Sequence, residues 1–545
     1  MINASVRTPA PLNEPAYSYA PGTPERAELK KTLERMTSEQ IEIPLIIGGK
    51  AVRTGKLAEV RMPHDHQHVL ATYHQADAAQ VQAAIDAALA AKPAWEALGF
   101  SERAAIFLRA ADLLTTRYRP ILNASTMLGQ SKTAHQAEID AACELIDFFR
   151  FNVAFAARLL AVQPNSAPQT WNQLDYRALD GFVYAVTPFN FTSIAGNLPS
   201  APALMGNTVI FKPSPYAMFS NWYIMELFRE AGLPPGVINL VQGDPALITS
   251  VVLAHPDFGG IHYTGSTAVF KSIWRTVGEN MPHYHQYPRL VGETGGKDFI
   301  LAHASASDDL EALAVAMVRG AFEFQGQKCS APSRVFIPAS LWPQLRERVV
   351  DLTSKLKMGD VCDFRNFLGA VIHETAFKKI SGYLDYARSA PGVKILTGGK
   401  ADRSHGWFIE PTVIQSDDPK NRLMCEEIFG PVITVTVYPD SSYEDTLRIC
   451  EQSTPYALTG SIFARDRAAI DTASRLLRYA AGNFYINDKP TGAVVGQQPF
   501  GGSRASGTND KAGSFLNIAR WTSPRTIKEN FVPPTVVGYP FQGAE

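Results

Sequence analysis

The chain has 545 residues, of which 19% are charged, and its formal net charge is −1. A chain of this length exceeds what one hydrophobic core supports and indicates about two or three domains. The near-neutral charge gives no electrostatic basis for binding nucleic acid or an anionic membrane, so neither is expected as a partner. No apolar run reaches membrane-spanning length, and residues 1–24 lack both a secretory and an Arg-rich targeting pattern, so we expect a cytoplasmic protein.

The five cysteines are odd in number and scattered, and no two are spaced as CxxC. This distribution argues against a disulfide framework and against a zinc site, so no metal is expected. It favours a reducing compartment in which one thiol is reactive. The five are Cys143, Cys329, Cys362, Cys425 and Cys450.

The first part of the chain predicts a short charged helix over 23–40, then a strand and a Gly-Gly turn over 43–50. Apolar residues at helical spacing predict further helices over 76–98, 101–118 and 136–155. These Ala-rich helices are typical of the outer layer of an α/β domain.

Glu144 lies in the third of these later helices, inside the apolar run 141–151. A glutamate in a helix is most often a solvated carboxylate on an exposed face, and periodicity alone favours that interpretation. The apolar neighbours argue against it without deciding the matter.

From residue 181 onward, short apolar runs alternate with helices. The runs 182–186, 208–211, 237–241 and 260–263 predict strands of parallel βαβ units. Ligands of such sheets gather at the carboxyl ends of the strands, and polar side chains stand there in this sequence. They are Thr187, Asn190, Lys212 and Ser266. This coincidence indicates a nucleotide site.

Each of these polar residues also has a plainer interpretation. Gly265 and Ser266 form either an ordinary turn before a helix or a helix N-terminus that holds a phosphate oxygen. No GxGxxG motif is present, so the signal is weak alone. Lys212 either touches a ligand or extends its stem over apolar surface toward water.

Cys329 lies in the sequence FQGQKCSAPSR. A free cysteine is most often a small buried apolar side chain, but its neighbours should then be apolar and periodic, and here they are Gln, Lys and Ser. A thiol in polar, Gly-loosened surroundings is typical of a nucleophile. Glu293 stands one predicted helix earlier, between glycines, where it is either an ordinary turn residue or a carboxylate that shares a cleft with Cys329.

Seven motifs occur in the order and approximate spacing of the aldehyde dehydrogenase superfamily, which the chain resembles from about residue 43 to about residue 529. They are FNF (189–191), KPS (212–214), TGS (264–266), ETGGK (293–297), GQKC (326–329), EEIFGP (426–431) and PFGG (499–502). Within the superfamily, segments 136–152, 480–502 and 504–510 resemble the 1-pyrroline-5-carboxylate dehydrogenases, also called L-glutamate γ-semialdehyde dehydrogenases.

The resemblance implies an α/β protein of the aldehyde dehydrogenase fold, with a Rossmann-like NAD-binding domain, an α/β catalytic domain and a β-flap for oligomerisation. The implied parts are an N-terminal arm over 1–40, the NAD-binding domain over 41–292 with a flap strand near 170–180, and the catalytic domain over 293–490. Residues 491–545 would supply the anchor loop, a return to the NAD-binding domain and the C-terminal flap strand.

The resemblance also implies a reaction, the NAD-dependent oxidation of L-glutamate γ-semialdehyde to L-glutamate in proline degradation. Cys329 would attack the aldehyde carbon, and the Asn190 amide with the Cys329 backbone N–H would hold the oxyanion. A hydride then passes to NAD, and Glu293 activates the water that hydrolyses the resulting thioester.

For the cofactor NAD, the resemblance places Lys212 at the adenosine ribose, Thr187 at a backbone contact, and Glu427 and Phe429 at the nicotinamide ribose and ring. Many NAD-selective relatives have a glutamate where this chain has Pro215, so a preference for NAD over NADP is implied by the subfamily alone. The pyrophosphate turn would comprise Gly265, Ser266, Thr267, Ala268 and Val269.

For the substrate, the resemblance implies an aromatic pair around the aliphatic stem, an anchor loop for the α-carboxylate and a carboxylate for the α-ammonium. Some relatives have serine where this chain has Ala493, so one hydroxyl is absent here. The implied residues are Phe191 and Phe500 for the stem, Ser330, Gly492 and Ala493 for the carboxylate, and Glu144 for the ammonium, against its plainer interpretation.

The stretches 172–177 and 521–541 predict two exposed strands, whose unpaired edges require partners. In the family such strands form a flap that pairs with a neighbouring subunit, so at least a homodimer is implied. Residues after 538 are open to a second interpretation as a disordered tail. A transient proline dehydrogenase partner is expected on metabolic grounds.

Three alternatives remain open. A CoA-acylating relative would share the thioester but let CoA replace water, and retention of Glu293 argues against it. A succinic semialdehyde dehydrogenase would have no use for a carboxylate at Glu144. A catalytically silent protein on this fold would be expected to lack Cys329, Asn190 or Glu293, and all three are present.

Overall fold

The computed structural model describes residues 7–545, so the first six residues of the predicted N-terminal arm lie outside it. The α-helices are α1 Pro24–Ser38, α2 Ala78–Ala97, α3 Phe100–Leu113, α4 Arg119–Gln130, α5 Ala134–Ala137, α6 Leu145–Leu160, α7 Thr192–Leu204, α8 Met218–Ala231, α9 Pro245–Ala254, α10 Thr267–Asn280, α11 Leu310–Phe322, α12 Trp342–Ser354, α13 Glu374–Ser389, α14 Arg422–Cys425, α15 Tyr443–Gln452, α16 Arg467–Leu476 and α17 Phe515–Ala519.

The strands form two large sheets and several small ones. They are β1 Ile41–Ile43, β2 Leu45–Ile47, β3 Lys50–Val52, β4 Leu57–Arg61, β5 Val69–His74, β6 Thr170–Arg177, β7 Phe182–Val186, β8 Val209–Lys212, β9 Ile238–Leu240, β10 Phe258–Thr264, β11 Arg289–Glu293, β12 Asp298–Ala302, β13 Pro332–Pro338, β14 Val393–Thr397, β15 Ala401–Asp402, β16 Phe408–Ile409, β17 Thr412–Ser416, β18 Val432–Tyr438, β19 Tyr456–Ala457, β20 Thr459–Phe463, β21 Asn483–Ile486, β22 Ser503–Arg504 and β23 Ser523–Asn530.

The first large sheet has the strand order β11-β10-β7-β8-β9-β2-β3. Strands β7 to β11 are parallel, and β2 and β3 complete the edge in antiparallel pairing. Consecutive side chains of β7 lie on opposite faces of the sheet, in two different cores. Val183 packs with α3, α6, α7 and α8, whereas Tyr184 packs with α2, α9 and α10. Burial on both faces explains why this strand is an unbroken apolar run in the sequence.

The second large sheet has the order β14-β17-β18-β13-β12-β20-β21, and all but β14 are parallel. Residues 294–297 connect β11 of the first sheet directly to β12 of the second. The predicted α/β fold class is confirmed. The strands of the two sheets lie within 45–293 and 298–486, and the domain boundaries given above stay a prediction.

The helix predicted over 136–155 is interrupted by a π-helical turn over Glu138–Glu144. Two buried ion pairs fix this turn, Arg119 with Glu138 and Lys132 with Asp140 at 2.6 Å. A π turn places one more residue in the turn than an α turn, and such turns concentrate at functional sites. Glu144 is its last residue.

The two predicted flap strands pair with each other, β23 antiparallel to β6 with Ser523 opposite Arg177. An ion pair of 2.8 Å between Arg525 and Asp175 links the two strands. The prediction of a strand over 521–541 was too long, because β23 ends at Asn530 and two prolines follow at 533–534, which cannot donate to a ladder.

Candidate active site

Cys329 lies in the loop between α11 and β13. Before it, Phe324 and Gln325 have left-handed backbone with φ of 51° and 55°, and Gly326 follows with φ of 65°. A Cβ at Gly326 would overlap the carbonyl oxygen of Gly430, so only glycine fits there. This tight reversal presents the thiol to an open cleft at the junction of the two large sheets.

Two glutamine side chains hold this loop in place. Gln325 Nε2 donates to the carbonyl oxygens of Ser131 at 3.0 Å and Ala370 at 2.7 Å. Gln327 Oε1 accepts the N–H of Ile372 at 2.9 Å. The loop is therefore tied to the segment before α5 and to the segment before α13, which fixes the strained backbone that precedes the cysteine.

The surroundings of Cys329 favour the neutral form of its thiol. Burial raises its pKa well above the ordinary value of a thiol, and the carboxylates of Glu293, Asp298 and Glu427 raise it further. Because only the thiolate is a good nucleophile, the predicted role of Cys329 would require the thiol to lose its proton as it reacts.

Asn190 brings a side-chain amide to the same place. Its Nδ2 donates to the carbonyl oxygen of Gln327 at 3.1 Å, which leaves the second N–H of that amide for a ligand. Asn190 and Cys329 line the same cleft. This arrangement fits the predicted oxyanion hole.

Glu293 is the last residue of β11, and it lines a small cavity together with Glu144 and Phe500. Its Oε1 is buried and has no hydrogen-bond partner among residues 7–545. Burial raises the pKa of this carboxyl to about 8, against a smaller lowering by the Lys511 ammonium. A carboxyl group that titrates near neutral pH is suited to act as a general base toward water.

An open cleft of about 840 Å³ extends from Cys329 along the carboxyl ends of β7, β8 and β10. Two predicted cofactor residues, Thr267 and Ala268, do not line it, and the Thr267 hydroxyl instead donates to the carbonyl oxygen of Ala505 at 3.2 Å. The other seven do line it: Thr187, Lys212, Gly265, Ser266, Val269, Glu427 and Phe429.

The wall of this cleft fits a dinucleotide. The Lys212 side chain is buried there, and among residues 7–545 no carboxylate oxygen lies within ion-pairing distance of its Nζ. Burial lowers the pKa of this ammonium to about 8. An unpaired buried donor gains from ligand hydroxyls. The N-terminus of α10, which Ser266 caps, opens on the same cleft and favours an anionic pyrophosphate.

The predicted anchor loop contacts Ser330, the residue that follows the predicted nucleophile Cys329. Ser330 Oγ lies 2.8 Å from Oγ1 of Thr491, and Gly492 follows with φ of 91°. Of the six predicted substrate residues, Glu144 and Phe500 line the small cavity with Glu293, whereas the remaining four lie outside its lining: Phe191, Ser330, Gly492 and Ala493.

Three buried residues on the substrate side were missed by the sequence analysis. Lys132 Nζ pairs with Asp140 Oδ2 at 2.6 Å and lies 4.3 Å and 4.4 Å from the ring centres of Phe191 and Phe324. Ser193 Oγ is 2.8 Å from Asp140 Oδ1. The available signal was a series of carboxylates inside an apolar helix, namely Glu138, Asp140, Glu144 and Asp147.

All five cysteines are unpaired. Between residues 7 and 545, no group of three or more His, Cys, Asp and Glu side chains is arranged to hold a metal ion. No helix in that range combines the length and apolar character needed to cross a membrane.

A model of the aldehyde dehydrogenase family matches residues 51–527. The chain belongs to the aldehyde dehydrogenase family. A relative from Dictyostelium discoideum named delta-1-pyrroline-5-carboxylate dehydrogenase, mitochondrial, is 52% identical over 542 residues, which cover 99% of this chain and 97% of the relative.

Two solved structures are similar to this aldehyde dehydrogenase. Delta-pyrroline-5-carboxylate dehydrogenase from Mycobacterium tuberculosis, bound with NAD, is 53% identical and superposes with a TM-score of 0.96 over the whole of both chains. Proline utilization A from Bdellovibrio bacteriovorus is 29% identical with a TM-score of 0.89, over 95% of this chain and 53% of that one. The predicted family and its fold are confirmed.

Proposed function

We propose that this protein catalyses the NAD-dependent oxidation of L-glutamate γ-semialdehyde, the open-chain form of 1-pyrroline-5-carboxylate, to L-glutamate. One observation carries the proposal: Cys329 lies at the end of a dinucleotide-sized cleft, and the adjacent cavity presents two carboxyl groups, Glu293 and Glu144. The full-length similarity to enzymes named for 1-pyrroline-5-carboxylate supports it. The reaction is the second step of proline degradation.

The first half of the reaction forms a covalent adduct on Cys329. The thiol passes its proton to water in the open cleft as its sulfur bonds to the aldehyde carbon. The C=O π bond breaks, and the former carbonyl oxygen becomes an oxyanion held by the Asn190 amide and the Cys329 N–H. NAD, when held by Lys212 and the N-terminus of α10, supplies the hydride acceptor that makes this adduct a thioester.

The second half of the reaction releases the acid. Glu293 takes a proton from water, whose oxygen bonds to the thioester carbon, and the C–S bond breaks to return Cys329. The unpaired Oε1 and raised pKa of Glu293 suit this step. A water-activating carboxylate favours hydrolysis over acyl transfer to CoA.

Recognition of the amino-acid end distinguishes this substrate from simpler aldehydes. Glu144 would meet the α-ammonium, and backbone amides of Gly492 and Ala493, with the Ser330 hydroxyl, would meet the α-carboxylate. Phe191 and Phe500 would enclose the aliphatic stem. Succinic semialdehyde has no ammonium and would leave Glu144 unmatched.

The proposal is tested by NADH formation with 1-pyrroline-5-carboxylate, succinic semialdehyde and propanal, for the wild type and for Cys329→Ala. We expect strong preference for the first substrate in the wild type and no turnover in the variant. Equal or better turnover of succinic semialdehyde would overturn the substrate assignment and spare the dehydrogenase chemistry. Absence of NADH from every aldehyde would favour a catalytically silent protein.

We infer that the β6–β23 flap pairs with a second copy of the chain, giving at least a homodimer. In support, the flap and the residues beyond it expose apolar side chains, including Trp171, Ile527 and Phe531. Light scattering of the intact chain tests this, and a monomeric mass would contradict it. A transient proline dehydrogenase partner stays a proposal, supported by a proline utilization protein whose chain extends well beyond the part matched here.

We propose a reducing compartment for the protein. Its five free thiols support this. The sequence predicts the cytoplasm, whereas the Dictyostelium relative is named as mitochondrial. Both compartments meet that requirement. Imaging of the tagged protein in its own cell distinguishes the two.

A further inference from the structure

Residues 7–23 of the N-terminal arm lie far from the active-site motifs in sequence, but they reach the substrate side of the site. Asn13 Nδ2 donates to Oδ2 of Asp147 at 2.7 Å and to the carbonyl oxygen of Val495 at 2.9 Å. Its Oδ1 accepts from Nε2 of Gln497 at 2.9 Å. One amide therefore uses both of its N–H groups and its oxygen to join α6 to the loop 491–498.

That loop contains Gly492 and Ala493, which are assigned above to the substrate's α-carboxylate, and residues 491–498 are called the anchor loop below. It contains neither helix nor strand, so no ladder of backbone bonds holds it in shape. The hydroxyl of its first residue, Thr491, forms a hydrogen bond with the hydroxyl of Ser330, next to the predicted nucleophile Cys329. At the other end, Asn13 connects it by hydrogen bonds to α6, the helix that continues directly from Glu144. Gly496 adds a packing contact with the ring of Phe151 on the same helix.

The arm itself is firmly bound to that helical region. The backbone N–H of Glu14 donates to Oδ1 of Asp147 at 2.7 Å, and its carboxylate pairs with Arg119 at 2.6 Å and Arg150 at 2.8 Å. These ion pairs are largely buried, so displacing the arm would leave buried charges without their partners. The contacts of Glu14 therefore hold the neighbouring Asn13 in position.

We propose that Asn13 is a positioning residue that sets the distance between the two groups that grip the amino-acid end of the substrate. It ties the carboxylate-binding anchor loop to the helix that presents Glu144 to the ammonium. This inference rests on the proposed function. On this inference, the N-terminal arm helps to determine substrate specificity. Its effect on binding is limited to aldehydes that carry an α-amino acid group.

The test compares Asn13→Ala and the isosteric Asn13→Asp with Leu12→Ala, whose side chain is 74% exposed on the same arm. Steady-state kinetics are measured with 1-pyrroline-5-carboxylate and with propanal at saturating NAD. Loss of the Asn13 bonds should raise KM for 1-pyrroline-5-carboxylate about tenfold, with kcat changed less than about twofold. Propanal kinetics and the Leu12→Ala enzyme should match the wild type.

A second measurement does not depend on turnover rate. Competitive inhibition by L-glutamate, the product, should weaken by a similar factor in Asn13→Ala, and Asn13→Asp should weaken it more because its carboxylate faces Asp147. Equal losses with both aldehydes would show a purely structural role and overturn the inference. Unchanged KM and inhibition would overturn it as well.

The two proposals fail in different ways. If the wild type shows no preference for 1-pyrroline-5-carboxylate, the proposed function fails and this inference fails with it. If the wild type keeps that preference and Asn13→Ala keeps it undiminished, only the role of Asn13 is refuted.

Discussion

The hydroxyl of Ser193 lies 2.7 Å from Oε2 of Glu144 and also 2.8 Å from Oδ1 of Asp140. A hydroxyl has one proton, so it donates to one carboxylate and the other must bring a proton of its own. Asp140 also accepts from Lys132 Nζ and from the N–H groups of Thr192 and Ser193, so the Glu144 carboxyl group is the one left without other donors. Glu144 therefore carries the proton in the free protein.

Burial and the charge of Asp140 raise the pKa of Glu144 to about 8, in agreement with this assignment. An α-ammonium favours the ionised carboxylate, so ligand binding should expel the proton. We expect L-norvaline, which keeps the α-ammonium and the α-carboxylate of the product and lacks its γ-carboxylate, to release about one proton at about pH 7. Calorimetry in buffers of different ionisation enthalpy measures it.

Two controls isolate this proton. Pentanoate lacks the ammonium and should release none, and Glu144→Gln should bind L-norvaline weakly and without proton release. Binding of L-norvaline to the wild type with no proton exchange would show that Glu144 is already ionised.

Glu293→Gln should separate the two halves of the reaction. The amide cannot accept a proton from water, so kcat should fall by about 10²–10⁴. Thioester formation should persist, which predicts a rapid burst of NADH followed by slow turnover. Stopped-flow absorbance measures the burst, and Cys329→Ala should show none. Loss of the burst itself in Glu293→Gln would assign this residue to the activation of Cys329 instead.

The same carboxyl group predicts a pH dependence of stability. The pKa of Glu293 is about 8 in the folded protein and 4.5 in the unfolded chain. Between these values the folded state binds more protons, so this group's contribution to stability falls as pH rises. Glu293→Gln should gain stability over the wild type between about pH 6 and about pH 9. Denaturant unfolding at both pH values tests this, and an equal difference at the two would contradict it.

The sequence predicted those parts of the fold whose signal is local. The strand predicted over 182–186 is β7, because burial on both faces makes it an uninterrupted apolar run. The polar side chains after β7, β8 and β10 meet in one cleft, because parallel strands end on the same edge of a sheet. For these elements, the apolar pattern and the position of polar residues at strand ends were enough for a correct prediction.

Other features depend on contacts that no local pattern records. Asn13 meets Val495 across 482 positions of sequence. The π turn over Glu138–Glu144 is set by Lys132 and Arg119, cations that precede it in the chain. Strands β1, β4 and β5 form a separate small sheet from short, partly exposed segments with weak alternation. Tertiary contacts therefore decided these elements.

Lys132→Met should destabilise the protein strongly. It removes the ammonium that pairs with Asp140 and leaves that carboxylate buried without a cation, at a cost of about 3–5 kcal/mol. The double variant Lys132→Met/Asp140→Asn removes both charges and should recover most of this loss. Urea denaturation measures both. A single variant within about 1 kcal/mol of the wild type would show that the pair is not ionised.

Gly326→Ala should inactivate the enzyme while the protein stays folded. The added methyl would overlap the carbonyl oxygen of Gly430, and the backbone already has φ of 65°, so the loop that ends at Cys329 must shift. A displacement of about 1 Å at the nucleophile reduces kcat by about 10²-fold. Gly278→Ala is the matched control, because nothing lies within 4 Å of its added Cβ and it stands in helix α10. That control should keep full activity and gain about 0.4–1 kcal/mol in stability. Wild-type turnover in Gly326→Ala, at an unchanged unfolding temperature, would show that the loop tolerates the methyl and that its strained backbone does not position the thiol.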